Sequence, residues 1–263
     1  MFEAQMGDAG LLKKIIESVR ELLTDANIEC TSAGISMQAM DSNHVSLCSF
    51  SLQSDGFTLY RCDRNITLGI NMGNFSKILR CANNGDSITM RAEDDADSLT
   101  LIFESPRQDR CTEFEMRLIS LNVERLGIPK TEYTSQITMA SQEFQRIIKD
   151  LSVTGDSCTI SCTKGGVQFS TSGDIGTGKI SLNPGNMDTD DDDSNKMEVT
   201  MTEPSSLTFA LRYLTSFTKA TPLGDRVNLS LNPQVPLAVE YPIGNIGSVN
   251  FYLAPKIDDD QEN

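Results

Sequence analysis

Residues 12–19, Leu-Lys-Lys-Ile-Ile-Glu-Ser-Val, return at 144–151 as Phe-Gln-Arg-Ile-Ile-Lys-Asp-Leu, a displacement of 144 − 12 = 132. The same displacement carries Cys30-Thr31-x-x-Gly34-Ile35-x-Met37 onto Cys162-Thr163-x-x-Gly166-Val167-x-Phe169. A helix and the strand after it therefore recur in register, with hydrophobic size and basic positions largely kept. Two copies of a fold of roughly 130 residues account for this more simply than one large domain. A duplicated chain is also half-way to a symmetric assembly.

The chain has 263 residues, enough for two domains of ordinary size that each bury a core. Its net charge of −15 argues against general attraction to nucleic acid or to an anionic membrane surface. The seven cysteines are odd in number and form no CxxC pair, so buried, reduced thiols and a reducing compartment are expected. Lys13 and Lys14 interrupt the first apolar stretch, and no apolar run approaches ~18 residues. A soluble intracellular protein is the expectation, and the sequons at Asn65, Asn74 and Asn228 are then chance matches.

Four segments show helical spacing. Over 8–23 the apolar stripe is Leu11, Leu12, Ile15, Ile16, Val19, Leu22 and Leu23; over 141–152 it is Phe144, Ile147, Ile148 and Leu151, with Ser141 as N-cap. A shorter helix is expected over 73–82 and another over 207–220, the latter placing Ala210, Tyr213, Leu214 and Phe217 together. The remainder alternates with period two, as in Met197–Met201, Val227–Leu231 and Thr112–Leu118. Asn84-Gly85-Asp86, Asp55-Gly56 and Gly155-Asp156 punctuate the runs as turns. Each half thus reads as an α+β unit whose two helices cover one face of an antiparallel sheet. The expected division is 1–117, a connector over 118–134, 135–257, and an acidic tail over 258–263. Gly127 and Pro129 make Leu118–Tyr133 an irregular surface crossing that offers Leu126 and Ile128, and Asp188–Asp193 with Ser194 and Asn195 is a solvated loop.

Sequence motifs for chemistry mostly fail on inspection. Gly173–Lys179 spells seven positions of a phosphate-binding loop, but Ile180 stands where Ser or Thr must reach the metal, and a strand follows instead of a helix. A glycine-bearing hairpin turn is the expectation. Asp188, Asp190 and Asp192 imitate a calcium loop, yet Asp193 replaces its glycine and Val199 its bidentate glutamate. His44 is the only histidine, which excludes histidine triads and multi-histidine metal sites. No catalytic residue and no metal site emerge, and His44 reads as a surface or partner-contacting group.

Charge on the helices is the signal that survives. Their polar faces carry Lys13, Lys14 and Arg20, then Lys77 and Arg80, then Arg146 and Lys149, then Arg212 and Lys219. Ordinary solvated faces would mix signs, and the 73–82 and 207–220 segments hold no acid. With both sets of helices on one side of a continuous sheet, that side is basic, the footprint of contact with phosphates without base reading. The net negative charge does not forbid this, because acids beyond the sheet are screened over a Debye length of roughly 8 Å at physiological salt.

Longer strings then become informative. Met1-Phe-Glu-Ala4, Met40-Asp-Ser-x-His44-Val-Ser-Leu47, Tyr60-Arg-Cys-Asp-Arg64, Ser76-Lys-Ile-Leu79 and Leu126-Gly-Ile-Pro129 are all similar to those of one family. So are Leu207–Leu214, Thr218–Pro222 and Tyr252-Leu-Ala-Pro-Lys-Ile257. Along essentially its whole length the chain resembles the eukaryotic proliferating cell nuclear antigen family of sliding DNA clamps.

The resemblance implies two tandem clamp domains, antiparallel sheets outside and helices on the inner face, closing into a homotrimeric ring around double-stranded DNA without cofactor or enzymatic activity. The basic helix residues would then face the channel, joined by Arg110 and Arg117. Closure would pair the strand around Arg110–Arg117 with the strand around Ile175–Leu182 of the next protomer, with Cys81, Arg110, Phe114, Ile175, Lys179 and Ile180 at the contact. Partner peptides with hydrophobic and aromatic anchors would dock at Met40, His44, Val45, Leu126, Ile128, Pro129, Ala210, Pro236, Tyr252, Ala254 and Pro255. Lys164, read from the residues alone as an exposed turn lysine, matches the family's ubiquitin attachment site. The implied partners are replicative DNA polymerase, the clamp loader, flap endonuclease and DNA ligase, and the implied location is the nucleus.

The sequence departs from the family's pattern in places. Phe114 stands where many members have Tyr, and arginines replace familiar lysines at Arg20, Arg80, Arg110 and Arg117, which alters phosphate geometry while keeping charge. A checkpoint-type heterotrimeric clamp subunit and an acidic peptide-binding scaffold without DNA remain the alternatives.

Overall fold

The computed structural model describes residues 1–94, 97–122, 127, 132–183 and 197–256. The chain divides into unit 1, Met1–Gly127 with Pro242–Val249, and unit 2, Ile128–Tyr241 with Asn250–Asn263. Leu126, Ile128, Pro129, Asp188–Asn195 and the tail after Lys256 lie outside the described residues.

Unit 1 begins with β1 (Phe2–Met6), α1 (Ala9–Val19), β2 (Asp25–Thr31), β3 (Gly34–Met40), β4 (Ser46–Gln53) and β5 (Leu59–Cys62). It continues with β6 (Ile66–Asn71), α2 (Met72–Leu79), β7 (Ser87–Ala92), β8 (Ser98–Glu104) and β9 (Cys111–Arg117). Its strands pair in the orders β5-β1-β7-β8-β9 and β4-β3-β2-β6, all antiparallel. The amphipathic helices bury Leu12, Ile15, Ile16 and Val19 of α1 and Met72, Phe75 and Leu79 of α2, and the sheets bury Phe2, Phe50 and Phe103.

Unit 2 repeats the order with β10 (Ser135–Ala140), α3 (Ser141–Leu151), β11 (Ser157–Thr163), β12 (Gly166–Gly173), β13 (Gly176–Leu182) and β14 (Glu198–Met201). There follow β15 (Ser205–Ala210), α4 (Leu211–Phe217), β16 (Arg226–Leu231), β17 (Leu237–Ile243) and β18 (Gly247–Leu253), with Pro242–Ile243 of β17 and Gly247–Val249 of β18 counted in unit 1. Its orders are β14-β10-β16-β17-β18 and β13-β12-β11-β15. The core is aromatic: Phe144 lies 6.4 Å from Phe169, and Phe217 stacks on Phe251 at 4.6 Å.

The displacement of 132 maps α1 onto α3 and β2 onto β11 residue for residue (141 − 9 and 157 − 25). From β5 to β8 it becomes 139, as in 198 − 59, 211 − 72 and 226 − 87. Nine additional residues fall in the interval that holds the acidic run (139 − 130), and a shorter turn offsets two of them. Between Ile35↔Leu52 and Val167↔Leu182 the second strand shifts by only 182 − 52 = 130, so the β3–β4 turn is two residues longer than the β12–β13 turn.

A finer repeat lies inside each unit. The first helical N–H of each helix donates to the carbonyl just before a strand: Ala9 to Asp86 at 2.8 Å, Met72 to Thr24 at 2.9 Å, Ser141 to Asp225 at 2.8 Å and Leu211 to Asp156 at 2.9 Å. These bonds satisfy donors that a helix N-terminus leaves open.

Three local expectations need correction. Residues 207–210 are strand, not helix, because Ser205–Ala210 completes a ladder with β11; Ala210 therefore ends β15. Ser141 is the first helical residue, not the N-cap, and its buried hydroxyl donates to Gly224 O at 2.6 Å. α1 stops at Val19 with Arg20 as C-cap, leaving Leu23 to fill the core from the following turn. The cysteine expectation holds for Cys30, Cys48, Cys158 and Cys162, whereas Cys81 and Cys111 are exposed; all seven are free thiols. The glycine motif is the expected hairpin: Gly173 faces Gly176 across Asp174 and Ile175.

Candidate nucleic-acid and partner-binding surfaces

Burial of the apolar stripes turns the cations outward. Lys14, Lys77, Arg80, Arg146, Lys149, Arg212 and Lys219 are exposed, and Lys13 and Arg20 half-buried along their stems. Their surroundings differ. Glu17 Oε1 reaches Arg80 Nε at 3.3 Å, bridging α1 and α2, while Arg146 approaches Asp150 at 3.9 Å within α3. The Arg212 guanidinium lies 4.8 Å from the centre of the Tyr213 ring, a cation–π contact. Among the described residues, Lys149 and Lys219 have no carboxylate partner. These two and Arg146 line an open groove of about 610 Å³ between α3 and the end of α4, whose walls include Gln142, Gln145 and Thr215. Gln145 Nε2 donates to Thr218 O at 3.1 Å and ties the two sides together.

Among the strands that end a sheet in the described residues are β9 and β13. β9 pairs only with β8 and alternates exposed Glu113, Glu115 and Arg117 with half-buried Thr112 and Phe114. Phe114 meets Phe103 edge-on at 6.1 Å, so its ring is anchored from below. Arg110, just before the strand, donates to Thr112 Oγ1 at 3.3 Å. β13 pairs only with β12 and carries exposed Lys179 and half-buried Ile180. Ile175, at the turn before it, is 75% exposed, far from the usual place of an isoleucine. Unpaired edges of this kind are templates for another strand. Cys81 is exposed after α2, and its thiol donates weakly to Lys77 O at 3.7 Å.

The expected docking residues fall in both units. In unit 1, half-buried Met40 ends β3, and exposed His44 and half-buried Val45 sit in the turn to β4, His44 with a left-handed φ of 56°. In unit 2, half-buried Ala210 ends β15, exposed Pro236 precedes β17, and half-buried Tyr252 lies in β18. Exposed Ala254 and half-buried Pro255 follow, and the next residue is fixed because Lys256 N donates to Thr208 O at 2.7 Å. Burial raises the Tyr252 phenol, with Tyr133 and Glu240 adding to the shift, so it stays a neutral hydroxyl at physiological pH. Lys164 is exposed in the β11–β12 turn, where Gly165 N donates to Thr163 Oγ1 at 3.3 Å.

Sequence reasoning passed over two residues of these surfaces. Glu17 was not singled out within a basic stripe, although 17 + 132 = 149 places it opposite a lysine in the repeat. Asp41 was seen only as part of a string, although Asp41-Ser42-Asn43 has the composition of a side-chain-closed turn.

Among the described residues there is no group of His, Cys, Asp and Glu able to hold a metal ion, and no helix long and apolar enough to cross a membrane. The doubled α+β scaffold, with its basic helix faces and open sheet edges, is the arrangement expected of a clamp-type, DNA-associated protein. Residues 1–125 match the family model for the proliferating cell nuclear antigen N-terminal domain, and residues 127–256 the model for its C-terminal domain. The chain belongs to the proliferating cell nuclear antigen family, whose members are non-enzymatic sliding clamps that bind DNA and partner proteins.

Proposed function

We propose that three copies of the chain close into a ring around duplex DNA and serve as processivity factor for replicative DNA polymerase in the nucleus. The observation that carries this reading is the outward display of cations on all four helices while their apolar faces are buried. Lys13, Lys14, Arg20, Lys77, Arg80, Arg146, Lys149, Arg212 and Lys219, with Arg110 and Arg117, would give transient, sequence-independent phosphate contacts. Encirclement supplies retention, so these contacts need only be weak; many tight ones would steepen the salt dependence by a slope of about 0.9 per phosphate and hinder sliding.

Self-association would join β9 of one protomer to β13 of the next, with Cys81, Phe114, Ile175 and Ile180 at the contact, and so cover both open edges. Met40, His44, Val45, Ala210, Pro236, Tyr252, Ala254 and Pro255, with the connector residues Leu126, Ile128 and Pro129, would receive anchored peptides from polymerase, clamp loader, flap endonuclease and ligase. Lys164 would be a modification site, reachable on its turn. The residues group as 1–117 and 135–257 around a connector over 118–134, with the tail over 258–263.

Loading onto nicked circular DNA tests the mechanism: the clamp should stay on circles and be lost once the DNA is linearised. Equal retention on both forms sinks encirclement. Light scattering on the isolated chain should give three copies; a monomer would favour a heterotrimeric, checkpoint-type clamp instead.

A further inference from the structure

We infer that Asp41 is a positioning residue for partner docking: its buried carboxylate fixes the β3–β4 turn so that His44 and Val45 meet an incoming peptide in one geometry. This rests on the docking role proposed above for that turn.

Asp41 is only 4% exposed. Its Oδ1 accepts from Val45 N at 2.8 Å and from Ser46 N at 2.7 Å, and its Oδ2 accepts from Asn43 N at 3.1 Å. The backbone completes the set, with His44 N donating to Asp41 O at 3.0 Å and Asp41 N to Ser46 O at 2.9 Å. Four consecutive N–H groups, from residue 43 to residue 46, therefore converge on one aspartate. Hydrogen bonds to a carboxylate are about twice as strong as neutral ones, and here they hold His44 at φ 56°, a conformation a non-glycine residue keeps only when its surroundings enforce it.

Reversing the chain does not require this apparatus. The corresponding turn of unit 2 connects β12 to β13 through Asp174 and Ile175 alone. The longer turn of unit 1 instead displays an exposed side chain above a buried anchor, and a surface that is already ordered loses less entropy when a peptide binds. In this arrangement Asp41 acts through the residues it holds.

The test uses the full-length chain and a fluorescein-labelled synthetic peptide carrying the aliphatic and aromatic anchors. Asp41→Ala should weaken binding about tenfold, and Asp41→Asn less, because one amide oxygen can still serve Val45 and Ser46. The amides of residues 43–46 should exchange faster in the same order. A variant combining Asp41→Ala with His44→Ala should bind no more weakly than Asp41→Ala alone, since a disordered turn no longer presents His44. Binding by Asp41→Ala within about twofold of wild type, or losses that multiply in the double variant, overturns the positioning role. If His44→Ala and Val45→Ala bind like wild type, the docking reading of the turn falls first and takes the inference with it. Light scattering on each variant checks that assembly is kept, and Asp41→Asn carries the test if Asp41→Ala does not fold.

Discussion

Unit 1 and unit 2 share a plan yet treat their outward helix faces differently. Lys14 corresponds to Arg146 through the displacement of 132, and Arg80 to Lys219 through 139. Between them, unit 1 has Glu17 where unit 2 has Lys149. Glu17 engages Arg80 across the two helices, whereas the groove beside α3 keeps Lys149 and Lys219 available. Unit 1 adds Lys13, Arg20 and Lys77, whose counterparts are Gln145, Ser152 and Ser216. Unit 1 spreads its cations along the helices and ties Arg80 to Glu17 across them; unit 2 gathers fewer around an opening and pairs Arg146 only within α3. Duplication therefore conserved the scaffold more strictly than the charge pattern it displays.

The strongest way to break the comparison is through the cores. Phe144 is fully buried where its counterpart Leu12 is 3% exposed. Phe144→Ala should cost about 3–5 kcal/mol by denaturant unfolding, from lost transfer energy plus a cavity. Leu12→Phe should cost about 1–3 kcal/mol, because unit 1 is packed to the smaller side chain. A neutral Leu12→Phe would mean that the two cores are interchangeable.

Exchanging the charges probes the helix faces. Glu17→Lys should free Arg80, add a cation, and steepen the dependence of DNA retention on salt by about 0.9 per additional phosphate engaged. Lys149→Glu should flatten it by a similar amount. Identical slopes for both variants and wild type would remove the groove from the account of DNA contact.

Thiols give the smallest but most direct comparison. At pH 8, Cys81 and Cys111 of unit 1 should react quickly with a maleimide, while Cys158 of unit 2 should resist, since burial pushes its thiol up to about 12. Assembly at high protein concentration should protect Cys81. Because the folded Cys158 holds its proton above the ordinary value of 9.0, the native state binds more protons than the unfolded state in that window. Its stabilising effect is present below pH 9 and is lost as pH rises towards 12. Cys158→Ala should lessen the alkaline decline seen in unfolding curves, and an unchanged curve would count against this thiol as a source.

Periodicity made α1, α2 and α3 legible because each carries one apolar stripe that packs on a sheet. It misplaced the last helix because Leu207 and Phe209 fit a helical stripe and a strand alike, and only the ladder to β11 decides between them. Ser141 has the composition of a cap, but β10 runs directly into α3 and leaves no extended residue for Ser141 to occupy. The cations could be read as a class, since their spacing is local. Their ion pairing could not, because Glu17 and Arg80 are 63 residues apart and meet only through packing of α1 beside α2. Asp41 was hidden for the opposite reason: its bonds are all local, and a buried carboxylate looks like any turn residue until its acceptors are counted.

The ends of the helices carry one more consequence. The first N–H of each helix is tied to a backbone carbonyl, while each helix finishes near a cation: Arg20 and Arg80 are C-caps, Lys149 lies in the last turn of α3, and Lys219 follows the C-cap Thr218 of α4. Aligned peptide dipoles leave a partial negative charge at that end, which a nearby cation offsets. These side chains thus stabilise their own helices before any phosphate arrives. A nucleic acid drawing them outward would compete with the dipole, which softens each contact and lets the charge return when the phosphate moves on.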